Sequence, residues 1–249
     1  MRRLCSWIIR CAAVLLCMAV GAAPRIARAQ ERSFAYRVSW NGIPAARATV
    51  KLADPVSATP QLSRLSAEVE TNAFVDLLWS FRGFGWGEAD AQTLRPLRFT
   101  FDRRINGRRE LTEVEAEPDG LLTGRYRRED RSRLVEVNDA EVLDPVAGIL
   151  HALRAPPAAG APQVYDIFTG EARYRIELHR EDTEMISVPA GRFAAIRITP
   201  VMWRIDKNAP ETRARRVTMW VTEAEPHLLL RVRGEVFIGA LYCDLTEIS

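Results

Sequence analysis

Lysine is almost missing from this 249-residue sequence, and cysteine and histidine are scarce. Of 35 basic residues, only Lys51 and Lys207 are lysines. Of four cysteines, Cys5, Cys11 and Cys17 crowd the start, and Cys243 is alone beyond them. A lone thiol excludes an intramolecular disulfide framework from the body of the chain. It lies in Leu241-Tyr242-Cys243-Asp244-Leu245 with no activating pattern beside it, so it reads as a small structural thiol. His151, His179 and His227 are the only histidines, and none has HxH or HExxH spacing. A zinc centre needs at least three converging ligands, so no metal is assigned. No serine sits in a Gly-x-Ser-x-Gly elbow, and no catalytic residue is assigned.

Acidic residues are absent from residues 1–29, which hold Arg2, Arg3, Arg10, Arg25 and Arg28. Setting these five aside leaves 30 basic against 32 acidic residues, a net charge of −2 rather than the formal +3. A basic footprint for nucleic acid is therefore not expected. Arg2 and Arg3 precede the apolar run Cys11–Ala23, and Ala27-Arg28-Ala29 offers a small-x-small cleavage site before Gln30. That order is the pattern of a cleaved export signal. Arg10 keeps the run short of the ~20 apolar residues a membrane span needs. Leu16 before Cys17 does not suit lipid attachment. The expectation is a signal peptide over 1–29, a periplasmic mature chain over 30–249, and no transmembrane segment after cleavage.

What is abundant is alternation. Phe34, Tyr36, Val38 and Trp40 share one parity, and Asn41-Gly42 then turns the chain into Pro44–Leu52. Leu65, Ala67 and Val69, then Leu97, Phe99 and Phe101, repeat the period of two. Asn106-Gly107 is the sharpest hairpin signal, followed by the return Arg109–Glu117 and a further one through Leu122, Gly124 and Tyr126. Arg127–Arg133, charged with both signs, reads as a solvated loop or strand end. Pro189-Ala190-Gly191 joins two β-rich runs, after which Ala194, Ile196 and Ile198 oppose Arg197 and Thr199. Val217–Val221, Leu228–Val232 and Val236–Leu245 continue the pattern.

Gly83, Gly85 and Gly87 alternate with Phe84 and Trp86. This is not a phosphate loop, since Glu88 and Asp90 follow rather than a helix; no cofactor is assigned. Glycines on one strand face suggest close approach or an aromatic covering them. Asn72–Ser80 fits either a short helix capped by Asn72 or a strand. Val142–Arg154 is the best helix: Asp144 can cap it, Pro145 suits its first turn, and Val146, Ile149, Leu150 and Leu153 fall on one face. Ala155–Pro162 is a Pro/Ala/Gly linker. The expected fold is mainly β: a large curved antiparallel sheet or open barrel of roughly a dozen strands, one domain over 30–249 with one short helix near 142–154.

Asp144-Pro145 with its apolar helix, Pro189-Ala190-Gly191-Arg192-Phe193, Trp220-Val221-Thr222 and Phe237-Ile238-Gly239-Ala240 occur in an order that resembles the exported bacterial family called domain of unknown function 3108. The likeness covers roughly Phe34 to Ser249, and departs at Pro226-His227-Leu228, where the family suggests a Leu-Pro-Val-like step. It implies an envelope β protein and brings no catalytic residues.

Trp79, Phe81, Trp86, Trp203 and Trp220 are the candidate ligand-binding residues. Trp220 is opposite in parity to Val217, Met219 and Val221, so both faces of its strand meet apolar surroundings. Two-sided packing explains this; so does a concave face accepting a lipid or other apolar ligand. Three functions follow. The first is a non-enzymatic periplasmic protein binding such a ligand. The second is an interaction module with an envelope protein partner. The third is a hydrolase using His227 or acid pairs such as Glu113/Glu115 or Asp166/Glu171. A continuous cavity, an open edge or apolar patch, and a cleft with perturbed carboxyls would respectively mark them.

Overall fold

The computed structural model describes residues 31–53, 61–206, 217–236 and 238–249. The leader expected over residues 1–29 lies outside them. Among the described residues, fourteen strands form one antiparallel sheet: β1 (Glu31–Trp40), β2 (Ile43–Ala53), β3 (Leu62–Thr71), β4 (Phe81–Asp90), β5 (Pro96–Ile105), β6 (Arg108–Ala116), β7 (Leu121–Arg128), β8 (Arg131–Asn138), β9 (Gln163–Phe168), β10 (Arg173–Val188), β11 (Gly191–Arg204), β12 (Val217–Thr222), β13 (Leu229–Glu235) and β14 (Ala240–Ile248). Their spatial order is β8 down to β1, then β14 down to β9, so β1 and β14 pair at the middle and β8 and β9 are the ends. The expected fold is mainly β, a large curved antiparallel sheet or open barrel of roughly a dozen strands; the chain is mainly β, and its fourteen described strands form one antiparallel sheet nearly closed into a barrel.

Hairpin chemistry makes this order. At Asn41-Gly42 φ is 48° and 87°, and at Asn106-Gly107 it is 51° and 79°. Those left-handed pairs match the strand twist and give two-residue turns. Of the two readings of Arg127–Arg133, the strand end holds: the run is the end of β7 and the start of β8. β7 and β8 pair from Leu121↔Asn138 to Arg128↔Arg131, with the reversal at Glu129-Asp130. Charge on both faces near the turn obscured the strand there.

The alternation sorts the two faces. Ala48, Val50 and Leu52 of β2, Leu65 and Ala67 of β3, Ile196 and Ile198 of β11, and Met219 and Val221 of β12 are buried in one core. The outer face carries ion pairs instead, among them Arg47–Glu70, Arg109–Asp102, Arg175–Asp166 and Arg231–Asp244. A lipid-spanning barrel would present an apolar band outward, so this one has the reverse polarity. No helix of the described residues is long and apolar enough to cross a membrane.

Two helices among the described residues interrupt the strands: one turn, α1 (Ala73–Asp76), and α2 (Pro145–Arg154). Asn72 caps α1, its side chain accepting from Val75 N at 2.9 Å. Asp144 caps α2, accepting from Ala147 N at 2.7 Å, and Pro145 takes the first turn. Every residue of α2 except His151 and Arg154 is buried. A helix buried all round belongs inside, and α2 lies against the inward faces of β4, β5 and β9. Gly87 admits it: a Cβ there would sit 2.9 Å from Val146 Cγ2. Arg154 donates to the carbonyls of Ala91 and Gln92 (2.6 and 2.9 Å), tying the far end of α2 to the β4–β5 turn.

The sheet ends do not pair with each other among the described residues, yet they touch. Leu143 bridges to Ile167 of β9, and the β9–β10 turn packs onto β6 and β7. The contact is tight: a Cβ on Gly124 of β7 would lie 2.5 Å from Phe168 Cζ and 2.6 Å from Gly170 Cα.

Candidate ligand pocket

Close to this seam the interior is incompletely filled. A cavity of about 100 Å³ remains above the first turn of α2. Phe99, Phe101, Pro145, Ile167, Ile176 and Met202 give it apolar walls. Arg103, Arg133, Glu171 and Arg204 give it a charged side. The walls follow from parity: Phe99, Phe101 and Arg103 of β5 pair with Gly87, Gly85 and Gly83 of β4, whose glycines face inward. Ile176 and Met202 are register partners on β10 and β11.

The charged side is only partly neutralised. Arg103 is 5% exposed and donates through Nε to Glu110 at 2.8 Å; Glu171 lies 3.4 Å away. Glu110 also meets Arg128 at 3.2 Å. Arg204 is held by Asp206, and the hydrogen bond from Arg204 keeps the Asp206 carboxyl below its usual range. Arg133 has no ion-pair partner among the described residues. A cation at the mouth of an apolar cavity would attract an anionic group there.

Beside the cavity, polar atoms are buried without partners: Asp144 Oδ2 and Tyr165 Oη. Desolvation pushes the Asp144 carboxyl up to about 7, against two backbone hydrogen bonds that lower it. Burial also pushes the Tyr165 phenol up. His151 faces Tyr165 with ring centres 6.0 Å apart, and burial lowers its pKa. Among the described residues, no group of three or more His, Cys, Asp or Glu could hold a metal ion.

The five aromatic candidates do not gather here. Trp79 stacks on Phe81 at 5.6 Å, and Phe81 packs over inward-facing Gly83. Trp86 points outward under Arg98 and Arg64, whose guanidinium carbons lie 5.0 and 5.9 Å from its ring centre. Both arginines pair with Glu88: burial alone would raise this carboxyl, but their hydrogen bonds outweigh it and leave it lowered. Trp203 shares the outward parity of Arg197 and Thr199. Trp220 shares the outward parity but is half-buried and packs against the core, donating to Glu184 at 2.8 Å. In sheet order, five strands separate β4 from β12.

No acid pair meets in the cavity. Glu113 is engaged by Arg127 at 2.5 Å on the outer face, and Asp166 by Arg175 at 2.7 Å, while Glu171 faces the cavity. His227 Nδ1 is 3.0 Å from the carbonyl of Thr222 in the β12–β13 turn. The cavity residues escaped sequence reasoning because they come from six separate segments. One cue was legible: Arg103 shares the parity of Phe99 and Phe101, which places a charge on the apolar face.

Comparison with known proteins gives a family without an activity. The family described as "Protein of unknown function (DUF3108)" matches residues 35–246. No curated protein sequence matches the chain. A beta-barrel-like protein of domain of unknown function DUF1849 from Brucella abortus is similar in structure, with TM-score 0.61 at 7% identity, covering 89% of this chain and 98% of that one. A protein with a YmcC-like fold from Bacteroides fragilis aligns at TM-score 0.36 and 11% identity over 93% of this chain and 99% of that one. At such identities the first likeness speaks for the fold alone, and the second carries no argument.

Proposed function

The chain belongs to the DUF3108 family, and on that footing we propose that it is a non-enzymatic periplasmic protein of the cell envelope that binds the apolar end of a lipid-like ligand in the seam cavity. The observation that carries this reading is the combination of an apolar recess with an unpartnered arginine, Arg133, at its mouth. At about 100 Å³ the cavity is smaller than the ~300–1,000 Å³ of pockets that enclose a whole small molecule. It accordingly takes one end of an amphiphile, with the anionic group at Arg133. Export rests on Arg2-Arg3, the Cys11–Ala23 run and Ala27-Arg28-Ala29. The aromatic residues Trp79, Phe81, Trp86, Trp203 and Trp220 would serve such a ligand only as packing and surface groups.

A second reading has its own observation. Among the described residues β8 is an end strand with no neighbour beyond it, and an unpaired edge can accept a strand from an envelope protein partner. A hydrolase has the least support, because Glu113, Asp166, Glu171 and His227 are each engaged by another group.

Native mass spectrometry of the protein exported to the periplasm and purified without detergent tests the first reading. A stoichiometric lipid-like adduct is expected, lost when Met202→Trp fills the cavity and weakened by Arg133→Gln. A ligand-free protein that also takes up no added fatty acid, or an adduct indifferent to Met202→Trp, would overturn it.

A further inference from the structure

Among the described residues, the four most exposed large apolar side chains sit on one rim of the sheet. Leu78 is 86% exposed, Leu77 82% and Phe74 64%, all in the β3–β4 connection that contains α1. Ile238 at 63% lies in the β13–β14 connection, and Ile43 at 52% and Trp40 at 42% flank the β1–β2 turn. A run of hydrogen bonds shows that these turns are contiguous. Trp40 Nε1 donates to the Ile238 carbonyl at 2.7 Å. Asn72 donates to the carbonyls of Pro44 and Ala45. Ser80 N donates to Asn106 Oδ1 at 2.9 Å, joining the α1 connection to the β5–β6 turn. Arg108 meets Glu129 at 3.5 Å, joining that turn to the β7–β8 turn.

The same rim carries surplus positive charge. Arg104 is next to last in β5, and Arg131 and Arg133 begin β8; all three are exposed, against the exposed Asp130 in the β7–β8 turn. None has an ion-pair partner among the described residues, although most arginines of the outer face do. The apolar tip is held rigidly despite its exposure: Asp76 is bound by Arg82 at 2.6 Å, and Trp79 is stacked on Phe81.

We propose that this rim seats on an anionic lipid surface, with Phe74, Leu77 and Leu78 inserted among the acyl chains and Arg104, Arg131 and Arg133 on the headgroups. Two physical points select a bilayer over a protein. Leucines as exposed as Leu77 and Leu78 need a matching socket in a folded partner, whereas lipid chains close around them without one. Apolar insertion beside arginines, with the half-buried Trp79 next to Leu78, is also the chemistry of interfacial membrane binding. The reading shares Arg133 with the cavity, but its apolar anchors Phe74, Leu77 and Leu78 do not line the cavity.

Flotation with vesicles tests it, using the protein as purified from the periplasm, on phosphatidylethanolamine/phosphatidylglycerol and on phosphatidylcholine vesicles. Binding to the anionic vesicles is expected, weakened by salt. Burying a leucine is worth roughly a factor of ten or more, so Leu77→Asp/Leu78→Asp should reduce partitioning by roughly a hundredfold. Arg104→Gln/Arg131→Gln/Arg133→Gln should abolish the preference for anionic vesicles. All of these side chains are exposed, so thermal melting should be unchanged in both variants. Met202→Trp should still float, which separates this proposal from the cavity reading. No flotation of the wild type, or flotation indifferent to Leu77→Asp/Leu78→Asp, overturns the proposal. So does concentration-dependent self-association that this variant abolishes without any vesicle binding, because the occupant would then be a second copy of the chain.

Discussion

Replacing Asp144 by asparagine should make the protein more stable at pH 8 than the native sequence is. The side chain is fully buried, caps α2 through Oδ1, and leaves Oδ2 without a partner. Desolvation raises its pKa from 3.8 to about 7. Between those values the folded carboxyl holds a proton that the unfolded one has released. The native state therefore binds more protons, and stability falls as pH rises through this range. A shift of about 3 units corresponds to about 4 kcal/mol in all, of which about 3 kcal/mol falls between pH 5 and pH 8. An asparagine side chain would keep an oxygen for the cap but cannot ionise. Urea unfolding of both proteins at pH 5, 6, 7 and 8 reads the difference directly. The gap between Asp144→Asn and wild type should move by about 3 kcal/mol in favour of the variant from pH 5 to pH 8. His151, with its pKa lowered by burial, acts in the opposite direction, costing stability as pH falls. It is present in both proteins and cancels. Asp144→Ala serves as the cap control, lying about 1 kcal/mol below Asp144→Asn at every pH. A gap that does not change with pH would contradict this account, because the carboxyl would then be ionised or solvated throughout.

Gly124→Ala should open the seam where the sheet ends meet. A methyl there would meet Phe168 Cζ at 2.5 Å and the Gly170 backbone at 2.6 Å. A loss of at least about 3 kcal/mol in urea unfolding is expected, since backbone cannot yield as a side-chain tip can. Cys243 is buried, and desolvation raises its thiol well above the ordinary value. It should not react with a disulfide reagent in the native protein and should react fully in denaturant. The denatured count should be one thiol if residues 1–29 have been removed and four if they remain.

Much of the fold can be read from short-range pattern. Asn41-Gly42 and Asn106-Gly107 mark two-residue hairpins because few other residues accept left-handed φ. Asp144-Pro145 marks the start of α2 because a side-chain acceptor and a missing donor both suit a helix end. The inward set Ala48, Val50, Leu52 shows by its period of two which face is dry. At β8 the same logic left a loop and a strand end equally open: Arg131, Arg133 and Glu136 mask the alternation of Val135 and Val137 on an end strand that needs only one covered side.

Local elements, the dry and wet faces of most strands, and the family are thus written in the order of the residues. These depend on spacings of two to four residues and on the φ preferences of single positions. Long-range packing had to settle that β9 and its turn lean on β6 and β7, that α2 fills the lumen, and that a cavity survives at Arg133. It also turned Trp86, Trp203 and Trp220 outward and left Phe74, Leu77 and Leu78 uncovered. The difference arises because an apolar side chain records a preference for burial but not its partner. Whether the preference is met depends on how the sheet curls and on what its two ends bring together.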